Sequence, residues 1–214
     1  MSKLLGIFGG TFDPVHFGHL RPALEVKQAL GLERVLFLPN QSLPDREPPM
    51  LSAEKRKALL ELAIASMPGF ELDTRELERK SMSFMVDTLV SLRDDFPDKA
   101  LCLILGMDAF SDLYRWHKWQ EILRLCHIVV TTRPGSNWST GWPEAPEMKA
   151  LKQYRVEDVS GLRAVNAGRI LLQSVLQLDI SSSYIRKQLR QGHDIRYLLP
   201  EDVREKLLEM MRDS

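Results

Sequence analysis

Four short apolar runs, Leu4–Phe8, Arg34–Leu38, Leu101–Leu105 and Ile128–Thr132, are separated by stretches long enough for helices. Runs this short, without polar alternation, suit strands buried on both faces of a sheet. The intervening stretches carry a different period. Phe17 to Leu30 spaces Leu20, Ala23, Leu24 and Leu30 as a helix does and stops at Gly31. Strand, helix and strand in succession make right-handed crossovers, so a mostly parallel, doubly wound α/β sheet with helices on both faces is expected. In such sheets ligands sit beyond the carboxyl ends of the strands, where the strand order reverses.

The same alternation continues along the chain. Ala53–Met67 after Ser52 reads as a helix, Phe70–Thr74 as a strand, and Ser83–Phe96 as a helix stopped by Pro97. Asp108–Arg124 reads as mostly helical, Arg169–Ser174 as a last strand, and Leu176–Ile180 as strand-like. Ser183–Arg190 before Gly192 and Pro200–Met211 are helices, the latter with Leu207, Leu208 and Met211 turned inward. Pro39–Pro49 holds four prolines and must be a long loop. Arg133–Pro146, rich in Pro, Gly, Ser and Trp, is a second loop, expected to be mobile. One domain of 214 residues is expected, with a C-terminal helical part from about residue 181 packed on it.

Composition removes several classes. With 44% hydrophobic and 27% charged residues the chain is neither disordered nor fibrous, and 29 basic residues balance 29 acidic ones. That balance gives no reason to expect a nucleic-acid or anionic-membrane surface, so any anion site is local. No apolar run reaches the roughly 18 residues of a bilayer span, and Met1–Phe8 is short for a signal core, so a cytoplasmic protein is expected. Cys102 and Cys126 lack CxxC spacing and read as buried thiols.

Two strings carry chemistry. The first is Gly9-Gly10-Thr11-Phe12-Asp13-Pro14-Val15-His16-Phe17-Gly18-His19, at the end of the first strand and the opening of the next helix. Glycines there let phosphate approach backbone amides, and the helix start offers unpaired N–H donors. The string is neither GxxxxGK[ST] nor GxGxxG, which weakens P-loop and dinucleotide readings. His16 and His19 share one face and can donate to phosphate oxygens; taken singly they also read as an ordinary surface pair. No Cys or Glu stands at zinc-site spacing beside them.

The second string is Ile180-Ser181-Ser182-Ser183-Tyr184-Ile185-Arg186. Ser181 and Ser183 can simply cap a helix. Arg186, three residues beyond Ser183, allows hydroxyls, amides and a guanidinium to converge on a polyphosphate.

Together, His16-Phe17-Gly18-His19 and Ser181, Ser183 with Arg186 resemble the HxGH and SxTxxR signatures of the nucleotidyltransferase superfamily. Gly9 to His19, Gly106-Met107-Asp108 followed by Trp116, Arg133-Pro134-Gly135 and Ile180 to Arg186 are similar to the bacterial nicotinate-nucleotide adenylyltransferase family over nearly the whole chain. The resemblance implies a Rossmann-like nucleotidyltransferase fold and transfer of the adenylyl group of ATP, with Mg²⁺, to nicotinate mononucleotide. It implies that His16, His19 and Arg186 are catalytic, and that Gly9, Gly10, Thr11, Phe12, Gly106, Asp108, Ile180, Ser181 and Ser183 join them in holding ATP. Asp13, Arg46, Met85, Val86, Trp116, His117 and Arg133 would hold the mononucleotide, with Trp116 stacking on the pyridine ring and amides near Val86 and His117 receiving its carboxylate.

The resemblance has departures. Asp45 and Arg46 stand where the family often has His-Lys, and Met85 replaces a common Thr. Asp108 alone also reads as an N-cap, and Trp116 as a packing aromatic. Adenylyl transfer to nicotinamide mononucleotide or phosphopantetheine, and nucleotide binding without turnover, remain as alternatives. A homo-oligomer is left open.

Overall fold

The computed structural model describes residues 3–41, 48–79, 84–133 and 142–212. Among these residues seven strands form one sheet in the order β3-β2-β1-β4-β5-β7-β6, every neighbour parallel. They are β1 (Lys3–Gly10), β2 (Arg34–Pro39), β3 (Phe70–Leu72), β4 (Lys99–Gly106), β5 (His127–Thr132), β6 (Arg155–Val156) and β7 (Ile170–Ser174). The order reverses between β1 and β4, so a crevice opens where Gly9 and Gly10 end one strand and Gly106 ends the other.

The continuous apolar runs conceal a two-residue period that the sheet uses. Leu4, Val35, Phe37, Ala100, Cys102 and Ile104 pack on one face; Leu5, Ile7, Leu36, Leu38, Leu101, Leu103 and Leu105 pack on the other. On the first face lie α1 (Phe17–Leu30), α2 (Ala53–Ile64), α8 (Val159–Arg163), α9 (Ser182–Arg190) and α10 (Glu201–Arg212). The second face is covered chiefly by α4 (Met85–Asp95) and the segments after β4, including α6 (Trp119–Leu125) and α7 (Pro146–Ala150). Short helices α3 (Arg75–Glu78) and α5 (Met107–Ser111) are the others among the described residues.

α1 ends at Gly31, whose φ of 59° is the left-handed stop a glycine allows. Ser52 caps α2 by accepting from the Lys55 amide. Cys102 and Cys126 are buried; burial pushes the Cys102 thiol up to about 12 and the Cys126 thiol higher still, so both stay protonated.

The structure corrects several expectations. The helix after Ser52 ends at Ile64, short of Met67, because Pro68-Gly69 turns the chain into β3, which covers only Phe70–Leu72. Asp108–Arg124 is mostly helical, as expected, but in pieces: α5, a 3-10 turn at Leu113–Arg115 and α6, with the chain extended at Trp116 and Lys118 entering α6 in the left-handed region. The break sets Trp116 against the second-face core. Leu176–Ile180 adds no strand, since the ladder ends with Thr132 opposite Ser174. In α10, Val203 and Leu207 are buried while Met211 is exposed, because the helical stripe runs through position 203. The short elements α3, α7, α8 and β6 carry too few periods to be legible in sequence. Ser83, and residues 134–141 of the loop expected to be mobile, lie outside the described residues.

Candidate active site

A cleft of about 570 Å³ lies at the reversal of strand order. Gly9 and Gly10 from β1, Gly18 and His19 from α1, Gly106 and Asp108 after β4, and Arg133 after β5 line it. Phe8, Pro22, Met107, Thr131, Thr132, Gln177 and Leu178, which sequence reading passed over, also line it. Thr131 and Thr132 had a signal, being the polar end of an apolar strand. Gln177 had none, because its segment reads as strand when it is an irregular stretch; the Gln177 side-chain Nε2 donates to the Thr131 carbonyl at 3.1 Å.

Two segments whose contacts span up to 173 residues of sequence meet beside this cleft. The guanidinium of Arg186 donates to the Asp13 carbonyl at 2.7 Å and lies 3.5 Å from its carboxylate. The Ser182 hydroxyl donates to the Pro14 carbonyl at 2.9 Å. A Cβ on Gly18 would stand 2.6 Å from the Ile180 carbonyl oxygen, so only glycine admits this approach, and it does so inside a helix that would otherwise favour alanine. Ser181 caps α9 by accepting from the Tyr184 amide at 3.2 Å. Ser183 accepts from Arg186 at 3.1 Å, which aims the guanidinium.

His16 ends the loop as the N-cap residue of α1, and its ring stacks on that of His19 with centroids 3.7 Å apart. His16 is 2% exposed, and both of its ring nitrogens, with Nδ1 of His19, are shielded and have no hydrogen-bond partner among the described residues. Orphaned buried polar atoms cost stability, so a site that retains them suits a ligand that pairs with them. Burial lowers His16 to about 4, and burial with the neighbouring His16 lowers His19, so both rings are neutral at pH 7. A neutral imidazole still donates one N–H.

Phe12 sits at a φ of 50° with its ring 1% exposed, packed edge-on to His19 at 5.1 Å. Only its backbone can serve a ligand. A non-glycine in this region stores on the order of 1 kcal/mol or more, held here by the core on one side and the loop on the other. The Asp13 carboxylate, 3% exposed, accepts from the Met50 and Leu51 amides at 2.7 and 3.0 Å. It is therefore tied to the return of the long loop. Thr11 is partly exposed beside them.

On the other side of the switch, Gly106 is the N-cap residue of α5, not Asp108, which sits in its first turn facing the cleft. Met85 comes close to the loop: its Cε would lie 3.0 Å from a Cβ on Gly9. Val86 is buried at the start of α4, Trp116 is half-buried, and His117 is exposed with its ring 4.3 Å from that of Phe84. Asp45 and Arg46 lie outside the described residues. Among the described residues no three His, Cys, Asp or Glu side chains converge as a cation cage, and no helix is long and apolar enough to cross a membrane.

His127, in the sheet's interior, is wired as a neutral ring: Nδ1 accepts from the Arg169 amide and Nε2 donates to the Val165 carbonyl, both at 3.1 Å. Burial lowers it to about 4. Unfolded histidines bind protons near pH 6.5, so between 6.5 and 4 the unfolded chain takes up more protons than the native one. Stability is therefore full above about pH 6.5 and lost as pH falls towards 4, by on the order of 2–3 kcal/mol for each of His16 and His127. Glu76, raised by burial, slopes the opposite way but is one group against three. Melting temperatures measured from pH 8 to pH 4 should show this fall; a flat profile from 7 to 4.5 would contradict neutral burial.

A parallel sheet reversing at β1/β4, with an HxGH turn and a serine-arginine helix joined beyond the carboxyl end of β1, defines a nucleotidyltransferase. A family model described as cytidylyltransferase-like matches residues 7–188. A probable nicotinate-nucleotide adenylyltransferase of Aeromonas hydrophila is 46% identical over 199 residues, 93% of this chain and 92% of that one. Its counterpart in Methylococcus capsulatus is 46% identical over 204 residues, 94% and 95% of the two chains. The chain belongs to the nicotinate-nucleotide adenylyltransferase family. The fold is shared with a solved Plasmodium falciparum nicotinic acid mononucleotide adenylyltransferase complexed with NaAD, at a TM-score of 0.69 and 17% identity over 97% of this chain and 96% of that one.

Proposed function

We propose that this chain transfers the adenylyl group of ATP to nicotinate mononucleotide, giving nicotinate adenine dinucleotide and pyrophosphate, a step of NAD biosynthesis. The observation that carries the reading is the junction of Gly18 with Ile180 and of Asp13 with Arg186 beside a cleft lined by His19, against which the His16 ring stacks. Relatives of similar length bearing that name support the choice of acceptor.

In this mechanism an oxygen of the mononucleotide phosphate attacks the α-phosphorus of ATP, the bond to the β-phosphate oxygen breaks, and pyrophosphate leaves with that electron pair. No covalent enzyme intermediate is required, so positioning and charge stabilisation suffice. His19, at the cleft, donates to α-phosphate oxygens as charge builds; His16 stacks behind it and supplies a second donor. Arg186 and Ser183 take the β- and γ-phosphates, and the first amides of α1 add fixed dipoles. Gly106 and Asp108 hold the ribose. Trp116 offers the pyridine ring a flat face, with amides near Val86 and His117 for its carboxylate.

The chemistry of ATP calls for a divalent cation, and Mg²⁺ is proposed. Mg²⁺ keeps several waters and binds largely through substrate phosphates, which fits a cleft whose own donors are amides and imidazoles. When bound, it would neutralise charge on the phosphate oxygens.

Pyrophosphate release should be measured with ATP and a panel of phosphorylated acceptors. Nicotinate mononucleotide is expected to give the highest kcat/KM, ahead of the nicotinamide form by roughly tenfold or more, the worth of one charge-assisted hydrogen bond. Equal use of the nicotinamide form overturns the acceptor assignment, and ATP binding without pyrophosphate release would make the chain a nucleotide-binding regulator.

A further inference from the structure

Arg56 is a fully buried cation that neither string contains. It lies in the first turns of α2, is 1% exposed, and is anchored by a helix whose Leu59, Leu60 and Ile64 are part of the core. One guanidinium nitrogen donates to the carbonyls of Thr11 and Asn40, and the other donates to that of Gln41, all at 2.7 Å. The Asp13 carboxylate is near enough to contribute to its electrostatics.

Those carbonyls belong to two separate strand exits. Thr11 follows β1 and Asn40 follows β2, whose ends are in register at Gly10 and Pro39. The Asn40 amide adds a bond to the Gly10 carbonyl at 3.1 Å. An arginine is needed because three acceptors arrive at two nitrogens of one plane; an ammonium is a single point and cannot fork in this way. Burying a cation against neutral carbonyls is costly, so packing alone does not account for it.

The consequence falls on the nucleotide loop. In a trans peptide the C=O and N–H point in opposite directions, so holding the Thr11 carbonyl towards α2 turns the Phe12 amide to the other side of the loop. Phe12 is also the residue in the left-handed region, a conformation that persists only where its surroundings fix it. Asp13 then ties the far end of the same loop to Met50 and Leu51. The turn between Gly10 and Asp13 is thus braced from behind at both ends.

We propose that Arg56 is a positioning residue for adenylyl transfer: by gripping the carbonyls of Thr11, Asn40 and Gln41 it sets the Gly9–Asp13 backbone in the geometry that receives the triphosphate. This rests on the adenylyl-transfer reading of the cleft. Arg56→Lys and Arg56→Met are compared with the unaltered protein for melting temperature, ATP affinity by direct titration, and kcat and KM in pyrophosphate release. Both variants should lose roughly tenfold to a hundredfold in kcat per folded molecule, the effect of a displacement approaching 1 Å at the reacting groups, with KM for the mononucleotide little changed. In Arg56→Ala, added guanidinium ion at sub-denaturing concentration should restore part of the turnover, and ammonium ion should not.

Wild-type kcat in a folded Lys or Met variant, with only the melting temperature lowered, overturns the proposal and leaves Arg56 a support of the fold. If the Met and Ala variants do not fold, the Lys variant decides by the same kcat comparison. Should the unaltered protein bind ATP yet release no pyrophosphate, the transfer reading fails. The brace is then judged by ATP affinity alone, which must weaken in Arg56→Lys for it to stand.

Discussion

Replacing His19 by alanine is expected to lower kcat by roughly a hundredfold or more while the fold survives, the scale seen when one preorganised donor to a developing oxyanion is lost. The physical asymmetry is strong at this position. In the protein without nucleotide, the stacked His16 and His19 rings hold three shielded nitrogens with no partner among the described residues, which is a cost to the native state. Removing one ring relieves part of that cost. It also loses edge contacts to Phe12 and Phe8. These terms oppose each other, so the melting temperature should move by no more than a few degrees, as roughly 1 kcal/mol would give. That outcome would mark a residue whose worth lies in turnover and not in stability. Steady-state kinetics paired with thermal melts check both halves. Near-wild-type turnover, or collapse of the fold, would remove His19 from the role given to it.

Gly18→Ala should be nearly as damaging, for a reason that has nothing to do with donors. The added methyl would stand 2.6 Å from the Ile180 carbonyl oxygen and 2.9 Å from atoms of the His16 ring. An ordinary contact needs the better part of an ångström more, and a backbone oxygen cannot swing aside as a side chain would. The segment leading into Ser181 must therefore retreat from the HxGH turn, taking Arg186 off the Asp13 carbonyl. We expect kcat/KM for ATP to fall by roughly a hundredfold, with about 1–3 kcal/mol of stability lost to overpacking. Helix propensity pulls the other way, since alanine is worth up to about 1 kcal/mol over glycine in a helix. A more stable variant with unchanged ATP kinetics would show that the two segments need not touch to work.

How much of this was legible beforehand depends on the kind of signal. The strands at Leu4, Arg34, Leu101 and Ile128, and the whole of α1, follow from local periodicity, which is written in the order of residues. Asp108–Arg124 is mostly helical, as it reads, but the break within it escapes local periodicity because it depends on Trp116 finding a core to pack against, and that core is assembled from distant segments. The strand-like Leu176–Ile180 failed for a related reason: a strand exists only where a neighbour offers a ladder, and β5 stops at Thr132.

The candidate site divides along the same line. Sequence alone marked the two strings, and it could do so because glycines, histidines and a serine-arginine spacing are unusual enough together to carry a resemblance. Only the tertiary structure decided what each polar atom would meet. It committed the Asp13 carboxylate to Met50 and Leu51, buried the Phe12 ring beneath its own loop, left the His16 nitrogens without partners among the described residues, and brought in Arg56 from 45 residues away. Periodicity along a chain fixes which side chains turn inward. The partner of a buried polar group is set by chain segments remote in sequence, and only the folded molecule brings those within hydrogen-bond reach.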